Sequence, residues 1–195
     1  LEKCARVVRR HGIAQIRPLV LHDLFAVAAQ TGRHADAQVL AERAFRAYGG
    51  VDPARRVVRL VLDTAHYWLI QGHAARALPV LQSLVPHFRE RDLLLLLWSS
   101  TARASGELRE RHMYMTAWTE TWRLIDGSDT EENVAAAAAY LARGAVALGD
   151  RQRALLAAKH ALEVAKRRRD SESVLEATEI LDAHGRSVPA MPASE

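Results

Sequence analysis

The stretch AAYLARGAVALGDRQRALLAAKHAL, residues 138–162, decides the fold. It is rich in alanine and leucine, which favour helix, and the pair Gly149 and Asp150 interrupts it. Glycine commonly ends a helix, and aspartate commonly begins one. Ala154 and Ala161 follow Gly149 by five and twelve residues, where small side chains allow two helices to approach closely. The stretch therefore predicts a hairpin of two packed helices.

The same pattern recurs three more times along the chain. It appears as Gly32 with Ala37 and Ala44, Gly72 with Ala77 and Leu84, and Gly106 with Arg111 and Trp118. The four glycines are separated by 40, 34 and 43 residues. Recurrence at intervals of this length indicates stacked structural units. The unit at Gly106 departs from the pattern, because neither of the two residues that follow is small.

Helical periodicity extends beyond these units. Apolar residues recur every three or four positions, and no segment sustains the alternation that is typical of a strand. Glycines and prolines divide the pattern into segments of helical length. We therefore predict an all-α chain, with helices over residues 2–11, 18–31, 33–48, 53–71, 74–88, 91–105, 107–125, 129–148, 150–167 and 171–184.

The recurring unit resembles the tetratricopeptide repeat (TPR), a helix hairpin with a glycine turn and small residues in its second helix. Ala142 and Ala145 stand where the first helix of this family's unit has its small and aromatic residues. Ala154 and Ala161 stand where the second helix has alanines. The resemblance implies a right-handed superhelix of antiparallel hairpins over residues 18–167. In this family, the first helices of the hairpins line a concave groove that takes peptides or partner helices.

The segments outside the repeats have separate predictions. Residues 1–17 are expected to form an N-terminal helix, which is a candidate for the end of an upstream domain. Residues 168–185 are expected to form a C-terminal capping helix with a charged outer face. Its acidic residues are Glu172, Glu176, Glu179 and Asp182. Residues 186–195, with two prolines among small residues, are expected to be disordered.

Composition excludes several classes of protein and site. The chain has 195 residues with a single cysteine, Cys4, so an intramolecular disulfide and a cysteine zinc site are excluded. The longest apolar run, 134–142, is far shorter than the roughly 20 residues of a membrane span. We therefore predict no membrane segment and a cytoplasmic location. The net charge of +4 and the absence of aromatic residues from the basic run 166–169 disfavour nucleic acid as a partner.

The chain lacks the motifs of common catalytic and cofactor sites. Residues 144–149 have the glycine spacing of a phosphate-binding loop, but Asp150 and Arg151 replace the Lys and Ser/Thr that hold phosphate and Mg²⁺. No two histidines lie three or four residues apart, so a helical metal-binding pair is missing. We expect no enzyme activity, no cofactor and no metal.

Alignment of the units on their turn glycines places ten residues along the implied groove. They are His22, Arg59, Leu62, His66, Leu69, Leu96, Ser100, Arg103, Tyr140 and Arg143. Several are basic, which favours a protein or peptide partner with acidic residues, because guanidinium groups bind carboxylates through paired hydrogen bonds. The alternative is that these arginines only keep one face of the helices in contact with water and bind no partner.

Two apolar clusters leave alternatives open. Met115, Trp118 and Trp122 form one stripe on the predicted helix 107–125. The stripe is typical of a core between two hairpins, and the alternative is an exposed binding spot or ligand pocket. The run 93–98 is either buried on both faces of its helix or part of a dimer interface, so a homodimer stays open.

The leading hypothesis for function is a protein- or peptide-binding helical module that serves as the scaffold or sensor part of a larger bacterial protein. The bias toward alanine and arginine is typical of a GC-rich bacterial genome. The alternative is the effector-sensing or oligomerisation domain of a bacterial transcription regulator, with a DNA-binding domain upstream. A helical enzyme that uses a histidine is a third alternative.

Overall fold

The computed structural model describes residues 16–49, 54–126 and 133–185, together with residues 3, 6, 7 and 10. All regular structure in these ranges is helical, which confirms the all-α prediction. The helices are α1 (Arg17–Gln30), α2 (His34–Tyr48), α3 (Ala54–Ile70), α4 (Ala74–Leu84), α5 (Arg91–Glu107), α6 (Arg111–Ile125), α7 (Val134–Ala147), α8 (Arg151–Arg168) and α9 (Ser171–Gly185). A 3₁₀ turn, Val85–His87, follows α4.

Some of the sequence-based predictions concern residues that the structure does not describe. Cys4, most of the predicted N-terminal helix and the tail 186–195 lie outside the described residues. Of the helices in the described ranges, none combines the length and the apolar character that crossing a bilayer requires.

The chain divides into two compact units, Leu1–His87 and Phe88–Glu195. In the first unit, α1 packs on α2, α3 packs on α4, and α3 also contacts α1 and α2. Its core includes Phe25, Tyr48 and Leu60, all almost fully buried. The helices α1 to α4 of this unit therefore form two successive hairpins whose first helices touch.

The second unit contains the hairpins α5–α6 and α7–α8, followed by α9. Helix α7 packs against α5, α8 and α9, and buried residues occur on nearly every side of it. The alanine-rich sequence of α7 follows from this position, because small side chains allow several helices to approach it closely.

The four hairpins turn in the same way. The turn residues have positive φ angles and are Gly32 (71°), Gly72 (77°), Arg109 (60°) and Gly149 (75°). In each turn, the amide of the next residue donates to the carbonyl five residues earlier, and the amide of the turn residue donates to the carbonyl three residues earlier. This pair of bonds is the Schellman motif that ends many helices. The turn residues are 40, 37 and 40 residues apart, so the chain has a regular internal repeat.

The third turn corrects a prediction. It lies at Arg109, three residues after the glycine that the sequence pattern indicates. The residues five and twelve positions after Arg109 are Tyr114 and Thr121, and both are fully buried. They replace the predicted pair Arg111 and Trp118. With the turn at Arg109, this unit fits the repeat in turn spacing and in the burial of both positions, but Tyr114 is still not a small residue.

Gly106 lies inside α5 and serves close packing instead of turning the chain. A Cβ atom at Gly106 would lie 2.5 Å from the Cα of Gly144 in α7. A Cβ atom at Gly144 would lie 2.7 Å from the carbonyl oxygen of Ala102. The two glycines therefore let the backbones of α5 and α7 touch where the helices cross.

Candidate partner-binding face

Charged side chains link the first helices of the second unit, α5, α7 and α9. The guanidinium carbon of Arg103 on α5 lies 4.8 Å from the ring centroid of Tyr140 on α7. Arg143 on α7 donates a hydrogen bond from Nε to Glu176 on α9, and another from Nη2 to Oε2 of Glu179 at 3.4 Å. These five residues, here named the α5–α7–α9 face, form a row across three helices.

Tyr140 and Arg143 of this face have fixed charge states near neutral pH. Burial raises the pKa of Tyr140 to about 12, with Arg103 opposing this rise and Glu176 adding to it, so the ring stays neutral. Burial lowers the pKa of the Arg143 guanidinium, but Glu176 and Glu179 outweigh it, and the pKa lies above its ordinary value. The face therefore presents a permanent cation beside two carboxylates.

The repeat explains why the two arginines of this face are equivalent. Arg103 stands six residues before Arg109, and Arg143 stands six residues before Gly149. In the first unit, His66 has the same place before Gly72. The position six residues before the turn is thus polar or charged in three of the four hairpins.

Each predicted groove arginine already has an acidic neighbour. Nε of Arg103 lies 2.9 Å from Glu107, and Nε of Arg59 lies 3.0 Å from Asp63. Arg143 pairs with Glu176, as described above. A carboxylate from a partner would therefore have to share or displace an internal ion pair.

The first unit has a comparable polar cluster across its helices. Nε2 of His22 on α1 lies 2.8 Å from Asp63 on α3, and Nδ1 of His22 lies 3.4 Å from the hydroxyl of Tyr48 on α2. Burial raises the pKa of Asp63, but the hydrogen bond with His22 and the adjacent Arg59 outweigh it, so the pKa is below its ordinary value. The cluster joins α1 to α3.

Other predicted groove residues point into the packed interior. Leu62, Leu69 and Ser100 have no exposed surface, so partners cannot reach their side chains in this conformation. The reason is that α3 and α5 each pack against neighbouring helices on more than one side. His66 and Leu96 are half-buried.

The predicted site lacked the acidic residues that pair with its arginines. Asp63 and Glu107 each follow an arginine by four residues, and this spacing on a helix could have revealed them. Glu176 and Glu179 were assigned to the outer face of the capping helix, but their partner is Arg143, which precedes Glu176 by 33 residues. No local pattern connects residues so far apart.

The aromatic stripe lies at the edge of the core. The rings of Trp118 and Trp122 stack with centroids 5.3 Å apart. Both side chains are partly buried and, with Met115, pack against the core of the second unit. This placement favours a core role over an open ligand pocket.

No protein-family model, curated protein or solved structure matches the chain. Within the described ranges, no group of three or more His, Cys, Asp or Glu side chains is placed to hold a metal ion. The repeat and the α5–α7–α9 face are the features of the chain that bear on its function.

Proposed function

We propose that the chain is a protein- or peptide-binding module, a TPR-like right-handed superhelix that acts as the scaffold or sensor part of a larger protein. The observation that carries the proposal is the row of charged side chains across α5, α7 and α9. Equivalent positions of successive hairpins contribute to this row, which is how a helical repeat makes an extended surface from short units.

The exposed charges indicate the chemistry of the partner. The side chain of Arg143 is 40% exposed and that of Glu179 is 58% exposed, so both are accessible from solvent. A peptide with an acidic residue beside Arg143 and a basic residue beside Glu179 would exchange an exposed internal ion pair for two intermolecular ones. We therefore propose a partner segment that carries both signs of charge, with its carboxylate on Arg143.

Peptide selection followed by affinity measurement tests this proposal. The chain would first select binders from a displayed library of random peptides, and the affinity of one selected peptide would be measured by fluorescence anisotropy. We expect Arg143→Ala to weaken binding tenfold or more, because a charge-assisted hydrogen bond contributes about 1.5–3 kcal/mol.

The matched control is Arg123→Ala. Arg123 forms a similar exposed ion pair with Glu120, but it lies on α6, outside the face. The double variant Arg143→Glu with Glu176→Arg retains an internal ion pair while reversing both charges, and it should also lose the selected peptide. Equal affinities for the wild type, Arg143→Ala and Arg123→Ala would contradict the proposal, as would a library that yields no binder.

A further inference from the structure

A shallow depression lies between the end of α8 and the start of α9. It is lined by Lys166, Arg169, Ser171, Val174, Leu175 and Thr178. Leu175 is 63% exposed, more than any other large apolar side chain in the described ranges. We call this surface the α8–α9 depression.

The depression has opposite charges at its two ends. Lys166 and Arg169 form one end. Asp182, which is exposed, follows Thr178 by four residues and so continues the same side of α9 at the other end. In the described part of the chain, neither Arg169 nor Asp182 has an ion-pair partner. An apolar centre between a cationic end and an acidic end is complementary to itself when one copy is reversed.

Arg169 closes the turn between α8 and α9. Arg169 has a φ angle of 59°, in the left-handed region where glycine is favoured. Glycine occupies the equivalent conformation at Gly32, Gly72 and Gly149. Arg109 has the same conformation away from the depression, and both arginines close a Schellman turn at the end of a helix.

We propose that α9 of a second copy of this chain occupies the α8–α9 depression, so that the two α9 helices pack antiparallel about a two-fold axis. One register satisfies both the apolar and the charged residues. It places Leu175 opposite Thr178 of the second copy and Ser171 opposite Asp182 of the second copy. Both pairs fit one register because they have the same midpoint along the helix. Asp182 of the second copy then lies beside Arg169.

This interface is small, so the dimer is weak. Helix α9 has 15 residues and is therefore about 22 Å long, and contact along one such helix lies at the low end of specific interfaces. We expect a micromolar dissociation constant, with monomer at low and dimer at high protein concentration. The proposal does not rest on the peptide-binding face, because Arg169, Leu175 and Asp182 take no part in that face.

Sedimentation velocity over a range of protein concentrations tests the proposal. The wild-type chain should show concentration-dependent dimer, and Arg169→Gly should weaken dimerisation at least tenfold without lowering the melting temperature, since glycine relieves the left-handed strain. Arg109→Gly is the matched control: Arg109 has a φ angle of 60° but does not line the depression, so its replacement should leave dimerisation unchanged.

A charge-swap pair distinguishes this interface from any other. Arg169→Glu and Asp182→Arg should each be monomeric, because like charges then meet in each homodimer. An equimolar mixture of the two variants should form a heterodimer, in which both contacts regain opposite charges. A wild-type chain that stays monomeric up to millimolar concentration, a dimer insensitive to Arg169→Glu, or a mixture that fails to associate would overturn the proposal.

Discussion

Gly106 and Gly144 allow α5 and α7 to approach more closely than residues with a side chain would. The Cβ of an alanine at Gly106 would meet the backbone of Gly144, which cannot move aside as a flexible side chain could. The α5–α7 crossing in turn places Arg103 beside the ring of Tyr140. At the scale of the residue, the candidate binding face thus depends on two glycines, Gly106 and Gly144.

We predict that Gly106→Ala lowers the free energy of unfolding by about 2–3 kcal/mol, because overpacking outweighs the roughly 1 kcal/mol that alanine normally adds to a helix. Urea denaturation measures the change. Gly49→Ala is the control, since a Cβ at Gly49 meets its nearest atoms at an ordinary 3.7 Å and the φ angle there is −60°. Similar small changes in the two variants would contradict the close crossing.

Single residues also show where the sequence was sufficient and where it was not. Gly32, Gly72 and Gly149 were predicted as turns and have positive φ angles. Gly106 was assigned to a turn because a glycine at a helix crossing and a glycine at a helix end look alike in sequence. Nothing in the sequence marks Arg109 as a left-handed residue, because arginine rarely adopts that conformation.

At the scale of the element, the helices themselves were largely predictable. The expected helices 18–31 and 150–167 differ from α1 and α8 by one residue at each end, because periodicity and glycine turns act locally. Which side of each helix is exposed was harder to predict. The burial of Leu62 and Ser100 depends on helices distant in sequence, and so does the pairing of Arg143 with Glu176.

The start of α8 carries a prediction about helix capping. Oδ1 of Asp150 accepts a hydrogen bond from the amide of Arg153 at 3.1 Å, and Oδ2 lies 2.7 Å from the Arg153 guanidinium. We expect Asp150→Ala to destabilise the chain by about 1 kcal/mol in urea denaturation. Asp150→Asn preserves the cap acceptor and should lose less. If both variants lost the same amount, the cap would not be the source of the stability.

The link between α1 and α3 carries a prediction about pH. The pKa of Asp63 is below its ordinary value of 3.8 in the folded chain, so ionised Asp63 stabilises the fold above about pH 4. This contribution disappears as the pH falls through the folded pKa. We expect Asp63→Asn to lower the stability by about 1–3 kcal/mol at pH 7 and by less at pH 3.

Urea denaturation at several pH values between 7 and 3 measures this dependence. Asp36→Asn is the matched control, because Asp36 is 60% exposed and its contact with Arg33 is long, at 3.5 Å. Exposed ion pairs contribute about 0–1 kcal/mol, so this control should have a small effect throughout. A penalty for Asp63→Asn that is the same at pH 3 as at pH 7 would show that the carboxylate charge is not responsible.

At the scale of the whole molecule, one hairpin geometry recurs at four turns spaced by 40, 37 and 40 residues. Within the second unit, the repeat gives α5 and α7 equivalent arginines, Arg103 and Arg143, and these are the basis of the proposed binding face. The proposed α9 contact would add self-association through other residues of α9, which also suits the alternative of an oligomerisation domain in a transcription regulator. Both proposals assign the function to surfaces that several helices of the second unit form together.

An NMR titration of the ¹⁵N-labelled chain with a selected peptide tests most directly whether the first helices form the binding surface. The proposal predicts that the largest amide shifts cluster on α5, α7 and α9, around Arg103, Arg143 and Glu176. Shifts confined to the second helices α6 and α8, or to the first unit, would contradict it.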